Sequence, residues 1–161
     1  MIDLLRALAD ELPGLRLTHD GPDVTGLPCD LIRQDDTDYM RRFFRFGRPN
    51  TNGATARYHQ ILRSDDDRHL HDHPWDFISV ILDGSYVETT ESGEVEHGRG
   101  SVLTRSAESA HRLTLKAPVW SFVITAPARR RWGFHTEDGW VPWRTYLAAP
   151  SPHPRAPRQW G

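Results

Sequence analysis

The sequence predicts an all-β fold: one sandwich or barrel with a short N-terminal helix. Two observations carry that expectation. From Arg57 to Thr125, short runs rich in β-branched and aromatic residues recur roughly every ten residues. The turn-formers "SDDD", "DG", "ESGE", "GRG" and "KAP" separate them, a rhythm that fits a sandwich or barrel rather than βαβ units. At 161 residues, 37% hydrophobic and 26% charged, the chain is the size of one domain with its own core.

The elements follow in order. Ile2, Leu4, Leu5, Leu8 and Leu12 fall near helical spacing, and Pro13 with Gly14 ends the pattern. Asp3, Asp10 and Glu11 interrupt the apolar set, so it reads as an amphipathic helix rather than a signal peptide. Residues 13–56 are poor in regular signals. They carry an aromatic–arginine patch, "YMRRFFRFGRP" at 39–49, read as a strand or edge packing on the barrel or on a second subunit. Six strands are expected next: "RYHQILR" (57–63), "FISVIL" (77–82), "SYVETT" (85–90), "SVLTR" (101–105), "HRLTL" (111–115) and "VWSFVIT" (119–125). "LDGS" is a hairpin signal, because Asp83 and Gly84 suit the positive φ of a tight turn. Residues 129–147 are dense in aromatics and arginine. Trp132, Phe134, Trp140 and Trp143 are expected to pack a flap over the barrel mouth. Prolines at 150, 152, 154 and 157 predict an extended tail. The chain thus divides into an N-terminal helix with an edge-strand segment (1–56), a barrel with its aromatic flap (57–148) and a proline-rich tail (149–161).

Composition excludes several classes. A formal net charge of -2 supplies no basic field for nucleic acid or an acidic membrane surface. No apolar run approaches the roughly 20 residues of a membrane span. A cytoplasmic, soluble protein is the expectation. Cys29 is the only cysteine, so no intramolecular disulfide forms and any metal site is built from His, Asp or Glu. Cys29 itself is expected to be inert. No phosphate-cradling glycine loop and no nucleophile–base signature appear.

The chemistry concentrates in "DRHLHDHPWDF", residues 67–77, which holds His69, His71 and His73. Alternate residues of a strand share a face, so these imidazoles point one way and two of them can reach a single ion. A further ligand then comes from elsewhere in the chain. Imidazole suits Fe, Mn, Ni, Cu and Zn alike, so the donor type alone selects none of them. The alternative is a polar loop that happens to be histidine-rich.

The spacing of these residues resembles the two motifs of the cupin superfamily. The first runs Gly, five residues, His-x-His, three or four residues, Glu, six residues, Gly. With His71 and His73 as its histidine pair, its closing glycine falls on Gly84. The second runs Gly, five residues, Pro-x-Gly, two residues, His. From Gly100 its histidine falls on His111. The match spans residues 57–126 and is good in spacing but degenerate in residue type. Asp65 stands at the first glycine, Phe77 at the glutamate, and Ser106 and Glu108 at the Pro and Gly of the second motif. The resemblance implies a jelly-roll β-barrel and a metal held by His71, His73 and His111. Without the glutamate, the expected site is a three-histidine one that leaves part of the coordination shell open. Fe(II) is favoured by likeness to three-histidine iron cupins such as the thiol dioxygenases, with Zn, Ni or Mn as alternatives. His69 is expected at the rim or simply exposed, and Asp76 replaces the glutamate only if the strand parity shifts at Pro74.

Other residues receive expectations around that site. His135, Asp76 and His69 are the candidate catalytic side chains. Tyr58, Gln60, Phe77, Ser79, Arg105 and Trp132 are candidate pocket residues, with His59 the alternative to its neighbours as the cavity-facing residue of its strand. Glu108 reads as a surface acid or as a partner that fixes an imidazole tautomer. Arg129, Arg130 and Arg131 read as a solvated run, one member of which could bind a carboxylate or phosphate. The expected function is a metal-dependent enzyme acting on a small, anionic molecule: an iron oxygenase first, with a lyase, dehydratase, isomerase or non-catalytic binding cupin as alternatives. A homodimer paired through edge strands is expected as well.

Overall fold

All six strand-like runs form strands in the computed structural model, which describes residues 17–18, 21–34, 37–48 and 53–149. The expected N-terminal helix and the tail from residue 150 lie outside the described residues. In chain order the strands are β1 (Leu17–Thr18), β2 (Gly21–Pro22), β3 (Cys29–Gln34), β4 (Thr37–Phe46), β5 (Thr55–Ile61), β6 (Leu70–His71) and β7 (Phe77–Asp83). There follow β8 (Ser85–Thr90), β9 (Gly93–Gly98), β10 (Val102–Arg105), β11 (Arg112–Leu115), β12 (Val119–Thr125), β13 (Gly133–Thr136) and β14 (Gly139–Pro142). A short helix, α1 (Trp143–Ala148), closes the described chain.

One layer is a six-stranded antiparallel sheet in the order β10-β7-β12-β5-β4-β3. The other is assembled from two three-stranded sheets, β11-β8-β9 and β14-β13-β6. They are stitched together by a bridge in which His71 and His111 exchange both backbone hydrogen bonds at 2.9 Å. Ile61, Ile81, Tyr86, Leu103, Leu113 and Val119 fill the space between the layers. Tyr58, Leu82, Trp120 and Phe122 pack a second cluster on the outer face of the large sheet, covered by Val24 and Leu27. Both faces of β12 are therefore buried, which is why its sequence is an uninterrupted apolar run rather than an alternating one. Gly21 lies so close to the Trp120 indole that a Cβ there would stand 2.5 Å from Nε1.

Three expectations change. Asp83 and Gly84 do make a tight turn, with Gly84 at φ +80°, but β7 and β8 do not pair. The turn carries the chain from one layer to the other, so a hairpin signal here marks a sheet-to-sheet corner. The stretch read only as turns between 91 and 100 contains β9, an edge strand exposed along most of its length. Its sequence, "GEVEHG", lacks a buried face to advertise it. The arginine–aromatic patch, read as a strand or edge packing on the barrel or on a second subunit, is a strand, β4, and it lies inside the large sheet between β5 and β3 rather than at an edge. Its arginines hide the alternation, because Arg42 occupies an inward position opposite His59.

Candidate metal centre

The site sits where polar residues enter the inner faces of both layers. Along β5 the inward residues run Ile61, His59, Arg57, Thr55, and their β12 partners run Val119, Ser121, Val123, Thr125. On the facing layer Leu113 gives way to His111. The apolar end is the core, and the polar end is where the histidines converge.

His71, at the end of β6, and His111, its bridge partner, are locked by their shared backbone bonds. The His73 amide donates to the Ala107 carbonyl at 3.0 Å, so the loop after β6 is also fixed. The three rings stand 5.0–5.2 Å apart, centroid to centroid. One ring nitrogen from each lies within 4.8 Å of the others. Nε2 of His73 and Nε2 of His111 are 2.9 Å apart. Nitrogens about 2.1 Å from one ion and at right angles to each other stand roughly 3 Å apart, so this pair has the spacing of adjacent ligands.

The donor set also has the right protonation. Burial pushes the His71 imidazole down to about 4, against the attraction of Asp65. Burial, with His111 and His71 close by, drives His73 well below the usual histidine range. Both rings are neutral at neutral pH and keep a lone pair for an ion. The Nδ1–H of His111 donates to Glu88 Oε1 at 2.7 Å, which turns its Nε2 lone pair into the cluster.

Glu88 is the residue that sequence reasoning missed. It is 2% exposed and also accepts from Arg105 and from His97. Burial alone would raise its carboxyl, but the hydrogen bonds from His111 and Arg105 hold it well below the usual carboxylate range. The signal was present: Tyr86 and Glu88 alternate along β8, and an acid on the inward side of a strand has to be paired. Asp65, read as a turn-former, is a second carboxylate behind the site. It accepts the Leu113 amide at 2.7 Å and lies 3.8 Å from His71 Nδ1. The site therefore keeps negative charge behind its imidazoles although no carboxylate joins them.

The remaining candidates divide. Phe77 does stand at the missing glutamate position, its ring 4.9 Å from His73 and 6.1 Å from His111. Trp132 is 6.2 Å from the His71 ring and stacks on Trp143. Arg105 reaches the site only through Glu88, and Ser79 is buried against Tyr86. Tyr58 and Gln60 are on the wrong face. Tyr58 packs on Phe122, and Gln60 accepts from Arg41 at 3.4 Å. His59 and Arg57 take the inward positions instead, which an arginine on that side of the pattern had obscured. Asp76 is not a ligand: it accepts the Ala107 amide and pairs with Arg129, which also holds Glu108. Glu108 is thus a surface acid. His69 bonds the Tyr146 hydroxyl at 2.9 Å, away from the cluster.

His135 is not in the site either. Phe134 faces His71, and His135 points the other way to Asp72, which is fully buried between the two histidines in sequence. Asp72 also accepts from the Gly133 amide, Trp140 Nε1 and Arg130, all within 2.9 Å. Burial pushes its carboxyl up, and these four donors, Arg130 foremost, bring it down overall. Arg129 and Arg130 are therefore fastened into the structure rather than solvated as a run. The flap is a true sheet extension, β6-β13-β14, backed by α1.

No protein-family model matches the chain, and no curated protein does. Solved structures do match. A cupin 2 conserved barrel domain protein from Rhodopseudomonas palustris superposes with a TM-score of 0.56, at 16% identity over 71% of this chain and 81% of that one. The chain has a cupin fold. A cupin-superfamily sugar phosphate isomerase from Silicibacter pomeroyi matches with a TM-score of 0.52, at 11% identity over 74% of this chain and 88% of its own. The Fe(II) form of HppE matches with a TM-score of 0.51, at 12% identity over 62% of this chain, which spans 56% of HppE. These likenesses carry the cupin architecture and leave the chemistry to the site. Among the described residues no helix is long and apolar enough to cross a membrane.

Proposed function

We propose that the protein is a metal-dependent cupin enzyme acting on a small molecule, with His71, His73 and His111 holding a divalent transition metal. The observation that carries this reading is the convergence of three enclosed imidazole nitrogens within 4.8 Å, two of the rings held neutral by burial and the third oriented by Glu88. A bound ion would supply Lewis acidity or oxygen activation. Fe(II) and an oxygenase reaction are the favoured assignment within that class. Three histidines without a bound carboxylate leave open positions for substrate and dioxygen, and HppE is an Fe(II) neighbour in fold.

The chain's own residues shape the rest. Glu88 fixes the His111 tautomer. Trp75, stacked on His73 at 4.8 Å, and Phe77 line that part of the site with apolar surface and limit water there. The second reading is an isomerase or lyase, favoured by the sugar phosphate isomerase that this chain covers over most of its length.

Metal analysis of untagged protein tests the proposal. About one equivalent of metal is expected, lost in His71→Ala and in His111→Ala and kept in His69→Ala. Substoichiometric metal that does not change in these variants sinks the metalloprotein reading. Oxygen uptake by the iron-loaded protein, across small acids, thiols and amino acids, then separates an oxygenase from an isomerase, a lyase or a binding module.

A further inference from the structure

The inner face of the large sheet carries two guanidinium groups that the metal centre does not use. Arg57 and Phe44 are cross-strand neighbours, and so are Arg42 and His59, which places Arg42, Arg57 and His59 together on that face. Arg57 is 4% exposed. It donates to His59 Nε2 at 2.8 Å and to Thr55, so His59 is a neutral acceptor. Its guanidinium lies 5.1 Å from the Trp75 ring, which also stacks on His73. One indole therefore spans from this face to the metal centre.

Arg42 is less satisfied. Its Nε is out of solvent and has no hydrogen-bond partner among the described residues. Asp30, its neighbour on β3, attracts both arginines without forming an ion pair with either. Burial and the repulsion of Arg42 bring the Arg57 guanidinium down to about 9, attraction to Asp30 notwithstanding. Two cations held close in a low-dielectric interior, without an ion pair to either, are a costly arrangement for folding alone. An oxyanion set between them would relieve it, because planar guanidinium donors match carboxylate and phosphate geometry.

We propose that Arg42 and Arg57 form a receptor for the carboxylate or phosphate group of a small molecule bound between the sheets, its other end turned toward His71, His73 and His111. Only the orientation rests on the metal-centre reading; the receptor itself does not.

The test is a thermal-melt and calorimetric titration of metal-free protein with sodium phosphate and, separately, sodium succinate. Sodium chloride at matched ionic strength is the reference. At least one of the two anions is expected to raise the melting temperature above the chloride reference and to bind. Phosphate alone identifies a phosphoryl group, and succinate alone a carboxylate. Arg42→Met is expected to melt at or above the wild-type temperature without anion, because it removes an unpaired buried charge. It should bind the anion about tenfold more weakly or worse, the loss of one charge-assisted hydrogen bond. Arg57→Gln should weaken binding likewise, and Arg42→Met suffices if that variant does not fold. Failure of both anions, or an undiminished response in Arg42→Met, overturns the proposal. Anion binding through Arg42, together with untagged protein whose metal content is substoichiometric and unchanged in His71→Ala and His111→Ala, leaves this receptor standing and sinks the metal reading. Metal binding with no anion response does the reverse.

Discussion

Replacing Glu88 by glutamine separates a positioning role from a structural one. The side chains are nearly isosteric, so packing around β8 changes little. The carboxylate, 2% exposed, receives hydrogen bonds from His111 at 2.7 Å, from His97 at 3.0 Å and from Arg105 on both oxygens. A glutamine offers one acceptor oxygen and presents an NH2 group to donors, leaving Arg105 partly unpaired. Breaking a buried pair in this way costs roughly 3 kcal/mol, on the order of 10 °C in melting temperature for a chain of this size. The second consequence is specific to the site. With one neutral acceptor oxygen contested by His111, His97 and Arg105, the His111 ring is no longer held by a carboxylate, and metal affinity should fall by about 10- to 100-fold. Urea unfolding measures the first quantity, and competition of Zn(II) against a chromophoric chelator measures the second. The stability loss should also shrink in acid. The Glu88 carboxyl is depressed in the folded state, so its contribution is complete above the ordinary carboxylate range and is lost as pH falls toward its folded value. A variant that loses stability but binds Zn(II) with wild-type affinity would refute the positioning role. One that loses neither would refute the reading of the network.

Three further outcomes are expected. Phe77→Glu places a carboxylate beside His73 and His111, where the ring now sits, and should tighten Zn(II) binding at least about tenfold, read by the same competition. Asp67 is raised to about 6 by burial and by Asp65 and Asp66, so in the folded state it binds its proton more tightly than in the unfolded chain. Its charge therefore destabilises the fold as pH rises from about 4 to 6, and Asp67→Asn should gain about 1 kcal/mol above that range, discounted for partial exposure, and nothing below pH 4. Asp72→Asn keeps an acceptor for Gly133 but loses the charge that holds Arg130 and His135, so hydrogen exchange at Phe134 and His135 should accelerate at least about tenfold. Unchanged protection would mean the flap is held by its aromatic packing alone.

The sequence was legible where one physical signal dominated. The six apolar runs became β5, β7, β8, β10, β11 and β12, because buried strands of a sandwich have to look like that. His71, His73 and His111 came together as the resemblance to the cupin motifs implied, with His71 and His111 joined by a backbone bridge just before β11. It was illegible where polar residues occupy inward positions. Arg42 and Arg57 broke the alternation that would have shown which faces of β4 and β5 turn inward, which sent the pocket assignment to Tyr58 and Gln60. Glu88 lay hidden inside "SYVETT", where a strand pattern was satisfied without asking which face held the acid. Asp72 was passed over because it stands between two more conspicuous histidines.

That position of Asp72 ties two parts of the molecule that sequence separates by some sixty residues. His71 and His73 turn into the site, while Asp72 between them turns out of its back. The same three residues therefore hold the candidate metal and the flap, since Asp72 anchors Gly133, His135, Trp140 and Arg130. Phe134, opposite His71 in the β6–β13 register, closes the connection from the flap side. Any shift of β13 must move either the Asp72 carboxylate or the ring beside His71, so the seating of the flap and the geometry of the histidines are one mechanical unit. A substitution at Asp72 should therefore alter metal affinity without touching the metal. One at His69, whose bond to Tyr146 leads to α1, should leave it alone.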